Sequence, residues 1–248
     1  MGMMEYANMM KDRHAVVTGG ASGVGRAVAL LFASQGAKVA ILDGGGDETA
    51  KTLAELRAIR PDCFAFSGDL SSADEINRMC SEAVGALGCV DALVTAAGLY
   101  MTGSVADFSE ADFKKMIDIN VLSAIRCAKA LAPAMMERRM GNIVTITSDL
   151  ATSSLAGTAA IAACAGAMYA FTRNVTMDYP RYRVRANCIL YPFDGIGGRK
   201  PLTGGAAEED AANAALFYAC DLSRNIMGNA LPVNGGINYT RISAGGDL

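Results

Sequence analysis

One stretch of eight residues restricts this chain more than any other: Thr18-Gly19-Gly20-Ala21-Ser22-Gly23-Val24-Gly25. A β-prone run, HAVVT, leads into it, and a helix-periodic run, GRAVALLFASQG, leaves it and stops at a glycine. A glycine-rich turn from strand to helix lets the backbone come close to a ligand. It also presents the free N–H groups and positive dipole end of the helix, which suit a pyrophosphate. Glycines alone are a weak signal. Asp43 strengthens it: it ends the next apolar run, KVAILD, 18 residues after Gly25. A carboxylate there can accept both ribose hydroxyls and repels a 2′-phosphate. The plainer role for Asp43 is that of a turn residue ahead of Gly44-Gly45-Gly46.

The same alternation continues along the chain. CFAFSGDL, VDALVTAAG, GNIVTITS, VRANCIL and NALPVNGG read as further strands with turns, and helical patterns fall near residues 72–86, 109–138, 159–179 and 207–220. Strands alternating with helices imply right-handed βαβ units. The expected fold is α/β, a Rossmann-type doubly wound parallel sheet of about seven strands with helices on both faces. The Gly-rich pieces at 44–47 and 195–205 read as loops, and residues 1–248 read as one domain without linker or repeat.

Composition narrows the function. The net charge is −3 and no long basic stripe occurs, which argues against nucleic acid and against an acidic membrane. Seven cysteines without a C-x-x-C pair read as reduced, buried small hydrophobes of a cytoplasmic protein. His14 is the single histidine, too little for a zinc site or a Ser–His–Asp triad. Leu150 to Thr172 carries no charge over 23 residues. Its Ala, Ser, Thr and Gly content suits a closely packed soluble helix better than a membrane span. The first residues lack the apolar run of a signal peptide, and Tyr6 breaks a myristoylation pattern.

The spacing T-G-x-x-x-G-x-G resembles the short-chain dehydrogenase/reductase family. Asp69-Leu70 matches that family's adenine-pocket pair, and Ala97-Gly98 the second half of its N-N-A-G, with Thr95 and Ala96 replacing the asparagines. Asn120 matches the helix asparagine of the catalytic tetrad and Ser148 the tetrad serine, while Gly228 and LPVNGG resemble the closing strand. The resemblance runs from about residue 12 to 240. It implies NAD as cofactor, NADH in preference to NADPH given Asp43, held by Gly19, Ser22, Gly23, Val24, Gly25, Asp43, Asp69, Leu70, Ala97 and Gly98. It also implies a small-molecule substrate, and a homodimer or homotetramer built through the helices near 109–138 and 159–179.

The tetrad's other half is missing. In the family a Tyr-x-x-x-Lys pair follows the serine by about 13 residues; here Ile161 and Ala165 stand there, and a one-residue slip gives Ala160 and Cys164. Neither register supplies a proton donor or a charge to tune one, and a positioned acid contributes roughly 10²–10⁴ in rate. Substitutes exist on paper. Tyr191, where the family usually has proline or glycine, is the catalytic candidate beside Ser148 and Asn120. Tyr100 and Asp149 are further ones, the bland role of both tyrosines being hydrophobic lining. Tyr169 and Arg173 resemble the Tyr-x-x-x-Arg pair of halohydrin dehalogenases but lie too far along the helix, so packing is expected. Asn120 is equally a structural residue, since its relay would have no lysine to serve. Three functions stay open. The first is an atypical NAD(H)-dependent oxidoreductase acting on a small carbonyl, alcohol or activated alkene. The others are a non-redox cyclase, isomerase or lyase, and a silent subunit paired with a related active one.

Overall fold

A computed structural model describes residues 7–192 and 207–237. Phe193 and the Gly-rich 195–205 stretch lie outside the described residues.

Seven strands form one parallel sheet: β1 (His14–Thr18), β2 (Lys38–Asp43), β3 (Phe64–Ser67), β4 (Ala92–Thr95), β5 (Gly141–Ser148), β6 (Val184–Tyr191) and β7 (Ala230–Pro232). Their order is β3-β2-β1-β4-β5-β6-β7, the doubly wound arrangement expected from the alternation. Central strands of such a sheet are covered on both faces and so run apolar without alternation. Ala15, Val16 and Val17 of β1 are all fully buried, as are Val39 to Leu42 of β2.

The helices are α1 (Gly23–Ser34), α2 (Asp47–Ile59), α3 (Ala73–Leu87), α4 (Glu110–Ile117), α5 (Ser123–Arg138), α6 (Ala159–Asp178) and α7 (Glu208–Ala219). α1, α2, α3, α5 and α6 bury stripes at three- and four-residue spacing. In α1 the stripe is Gly25, Val28, Ala29, Phe32 and Ala33, and it meets Ala215 and Tyr218 of α7 in one core. On the opposite face Met79 and Ala83 of α3 and Leu131 and Met135 of α5 pack against Val16, Leu42, Leu93 and Ile143. The uncharged 150–172 stretch divides into a 3-10 turn at Asp149–Ala151, a loop and the first two-thirds of α6, whose Ile161, Cys164, Ala165 and Met168 are buried.

Start and stop signals behave locally as their chemistry dictates. The hydroxyls of Ser72 and Ser109 accept hydrogen bonds from the N–H groups of Glu75 and Asp112, capping α3 and α4. Gly88 ends α3 with φ +80°. Two later stops place arginine in the same left-handed region: Arg139 after α5 (φ +51°) and Arg183 before β6 (φ +57°). The long helical pattern at 109–138 is divided by a π-helical turn, Asp118–Leu122, which carries Asn120.

Candidate functional site

The site lies at the C-terminal ends of β1, β2, β4 and β5, where ligands of open α/β sheets bind. Gly19 turns the chain with φ +67°, and its N–H donates to the Leu42 carbonyl at 2.9 Å. A Cβ on Gly19 would sit 2.7 Å from both Cα and N of Ala97. One on Gly25 would fall within the van der Waals envelope of the Gly19 carbonyl. Thr18 Oγ1 accepts from the N–H groups of Ala96 and Ala97 at 3.2 and 3.4 Å, tying the exit of β4 to the loop. The glycines therefore solve a backbone crowding problem and open a cradle. Gly19, Ser22, Gly23, Val24, Gly25, Asp43, Leu70, Ala97 and Gly98 all line one cavity of about 400 Å³.

Asp43 reaches that cavity while serving the loop: its Oδ2 accepts from Ala21 N–H at 2.8 Å and its Oδ1 from Gly44 N–H at 2.7 Å. Asp69 does not join it. Its carboxylate folds back on Ser71, accepting from the backbone N–H at 2.8 Å and the hydroxyl at 2.7 Å, and these bonds hold its pKa below the usual carboxylate value. The local turn outcompetes the pocket, so of the Asp69-Leu70 pair only Leu70 lines it. One contributor was not anticipated. Glu208, in the first turn of α7, places Oε1 3.6 Å from where a Gly23 Cβ would stand. In sequence, Glu208-Glu209-Asp210 reads only as acids favourable to a helix N-terminus. Among the described residues lining this cavity, Asp43 and Glu208 are the charged ones, and both are acids.

Ser148 ends β5, is 2% exposed, and its Oγ accepts from Leu150 N–H at 3.2 Å, capping the 3-10 turn. Ile161 and Ala165 face it across a cavity of about 10 Å³, room for about one water molecule. Cys164 shares this cavity, and burial pushes its thiol pKa up. Asn120 also borders it, but its amide is engaged: Oδ1 accepts from Leu99 N–H at 2.6 Å and Nδ2 donates to the Leu99 carbonyl at 2.7 Å. Asn120 thus clamps the Leu99–Tyr100 segment.

That segment matters because Tyr100 borders both cavities. Its ring folds back over Gly98, where an added Cβ would lie 2.7 Å from the phenol oxygen. Burial, with the nearby Cys164 thiol second, pushes its pKa up to about 12, so at neutral pH it is a neutral phenol. Tyr191 pairs in register with Ser148 across β5 and β6 but lines the large cavity and not the small one. Asp149 is fully buried and accepts from Asn234 Nδ2 at 3.3 Å. Arg173 lies over the Tyr169 ring, 5.5 Å from its centroid, a packing contact. His14 Nδ1 sits 2.9 Å from Cys89 Sγ at the far end of the sheet; neighbouring Asp91 accepts from His14 N–H and from Arg138.

The profile of the family described as short chain dehydrogenase matches residues 13–193. Similar curated proteins include a 3-oxoacyl-[acyl-carrier-protein] reductase, FabG, of Staphylococcus epidermidis. It is 27% identical over 241 residues, covering 91% of this chain and 99% of the relative. A 2,5-dichloro-2,5-cyclohexadiene-1,4-diol dehydrogenase, LinX, of Sphingobium indicum is 29% identical, covering 93% and 98%. Among solved structures, a short-chain dehydrogenase/reductase from Burkholderia xenovorans superposes with TM-score 0.87 at 27% identity, over 95% of this chain and 100% of that one. Levodione reductase, at 21% identity and TM-score 0.85 over 94% and 100%, shares the fold.

Proposed function

The chain belongs to the short chain dehydrogenase family, and from that premise we propose that it is an NAD(H)-binding oxidoreductase with an atypical active site, acting on a small carbonyl, alcohol or activated alkene. The observation that carries the nucleotide half is the cradle at Gly19 and Gly25, which Cβ atoms would fill. A diphosphate fits there, with Ser22, Val24 and Gly25 at the N-terminus of α1 and Asp43 at the ribose end. Asp43 also favours NADH over NADPH, because a 2′-phosphate would meet a carboxylate. Glu208 opposes the diphosphate and lowers the affinity below what the cradle alone would provide.

Bound nicotinamide supplies or accepts the hydride; the chain supplies the rest. Ser148 holds the substrate oxygen by its hydroxyl hydrogen while its lone pair caps the Leu150 N–H. Ile161 and Ala165, each 1% exposed, make the floor apolar and exclude water without moving a proton. Tyr100 donates a hydrogen bond as a neutral phenol; with a pKa of about 12 and no lysine beside it, it releases its proton poorly. Substrates whose product anion is already delocalised demand least of such a site, which favours an enone-like acceptor over a simple ketone. The named relatives act at carbonyl or carbinol carbons, the reaction class proposed here.

The deciding experiment is titration with NADH and NADPH by nicotinamide fluorescence, followed by a screen for hydride transfer to enones, ketones and diols. Tighter NADH binding with turnover supports the proposal. Binding without turnover favours the second reading, a silent subunit assembled with a related active one, whose support is the absence of a proton route at Ile161 and Ala165. Conversion of a substrate without added nucleotide would make the chain a cyclase, isomerase or lyase. Assembly as a homodimer or homotetramer, a cytoplasmic location and independence from nucleic acid and membrane remain parts of the proposal.

A further inference from the structure

At the opposite end of the sheet from the nucleotide cradle lies a second cavity, of about 470 Å³. Six arginines line it: Arg13, Arg138, Arg139, Arg183, Arg185 and Arg224. They come from four separated segments, before β1, after α5, at the start of β6 and after α7. Six of the chain's fifteen arginines thus meet at one place in a protein whose net charge is −3. Two carboxylates answer them. Asp221 pairs with Arg13 at 3.2 Å, and Asp91 pairs with Arg138 at 2.5 Å. Arg185 is 8% exposed and donates to the carbonyls of Tyr218, Cys220 and Ser223, bracing β6 against the end of α7 with its charge unneutralised. Arg139, Arg183 and Arg224 form no ion pair or side-chain hydrogen bond among the described residues.

We propose that this cavity is a binding site for a small polyphosphate-type anion, distinct from the nucleotide cradle. Six like charges answered by two carboxylates repel one another, and an anion with adjacent phosphates relieves that repulsion. The residue type fits the ligand, since guanidinium forks bind phosphate oxygens in pairs, whereas no lysine is among the described residues of the lining. The volume suits a ligand of nucleotide size. Backbone conformation points the same way: Arg139 and Arg183 hold φ of +51° and +57°, where glycine would sit without strain, and both open onto this cavity.

Those two positions give a clean test. R139G and R183G remove two charges while relieving both backbone strains, so the double variant is expected to fold at least as stably as the parent. Isothermal titration of the full chain with inorganic tripolyphosphate should show a binding event that the double variant weakens at least about tenfold. The cradle lies at the other end of the sheet and is untouched by the substitutions, so anion binding there is insensitive to them. GTP titrated in parallel separates the sources: binding at least about tenfold tighter than tripolyphosphate identifies a nucleotide, and equal binding a free polyphosphate. Three results would overturn the proposal: no tripolyphosphate binding, binding unchanged in R139G/R183G, or binding only to duplex DNA or an acidic protein.

Discussion

Replacing Gly19 with alanine tests the cradle at its tightest point. Two costs add. The residue holds φ +67°, and a side chain there costs about 1–2 kcal/mol. The new Cβ would stand 2.7 Å from Ala97 Cα and N, against an ordinary carbon contact of about 3.5–4.0 Å. The loop must therefore retreat by most of an ångström. Gly19 N–H bonds Leu42 at 2.9 Å, and the Thr18 hydroxyl holds Ala96 and Ala97. Loosening one such bond removes about 0.5–1.5 kcal/mol. G19A should lose about 2–4 kcal/mol in urea unfolding with unchanged m. Gly44 is the control: nothing lies within 4 Å of an added Cβ and its φ is not positive, so G44A should stay within about 0.5 kcal/mol. NADH affinity should fall at least about tenfold in G19A alone, because the amides that face a diphosphate move. A G19A protein as stable as G44A, with unchanged NADH binding, would refute the close-approach reasoning.

Glu208→Gln should tighten NADH binding about three- to tenfold by removing a like charge beside the cradle, an effect that fades in high salt; unchanged affinity would show that the carboxylate swings away. I161Y/A165K should raise NADH-dependent ketone reduction at least about 100-fold while costing about 1–3 kcal/mol of stability from overpacking beside a 10 Å³ cavity, read by turnover and urea midpoint. Alkaline pH should destabilise the fold. Tyr218, 1% exposed and bonded to Asn229, has its pKa raised to about 12, so the unfolded chain releases that proton near its ordinary value while the folded one retains it. Its contribution, about 2–3 kcal/mol, is complete below the unfolded value of about 10 and is lost as pH climbs to 12. Y218F should make the urea midpoint fall less steeply across that window, Tyr100 supplying the remaining slope, while lowering it at pH 8.

Local backbone demands were legible in sequence, and tertiary convergence was not. Gly19 and Gly25 announced themselves because only glycine tolerates their crowding, and the periods of the runs predicted all seven strands. Counting from Ser148 reached Ile161 and Ala165, and both border one cavity with that serine. Matching the Asp69-Leu70 pair says nothing of Ser71 two residues on, whose N–H and hydroxyl bind the Asp69 carboxylate. Tyr100 and Tyr191 could not be ranked from sequence. Their difference is which of two adjoining cavities each borders, and that depends on the Asn120 clamp 20 residues beyond Tyr100. The arginine cavity was invisible for the same reason: a search for a basic stripe along the chain cannot find charges drawn from four segments.

Asn120 and Ser148 share a property that Ile161 and Ala165 lack. The Asn120 amide satisfies both backbone groups of Leu99, and the Ser148 oxygen satisfies the N–H of Leu150. Removing the serine orphans a buried N–H, at about 1–3 kcal/mol, and removing the asparagine leaves the part-buried N–H and C=O of Leu99 without their partner. A tyrosine and a lysine at positions 161 and 165 would have answered to chemistry alone. If selection for catalysis lapses in such a scaffold, decay has an order. The helix pair erodes first, and the serine and asparagine outlast it as fossils kept by folding. In such a scaffold a surviving serine and asparagine record what the backbone needs, and counting them does not measure how much activity survives.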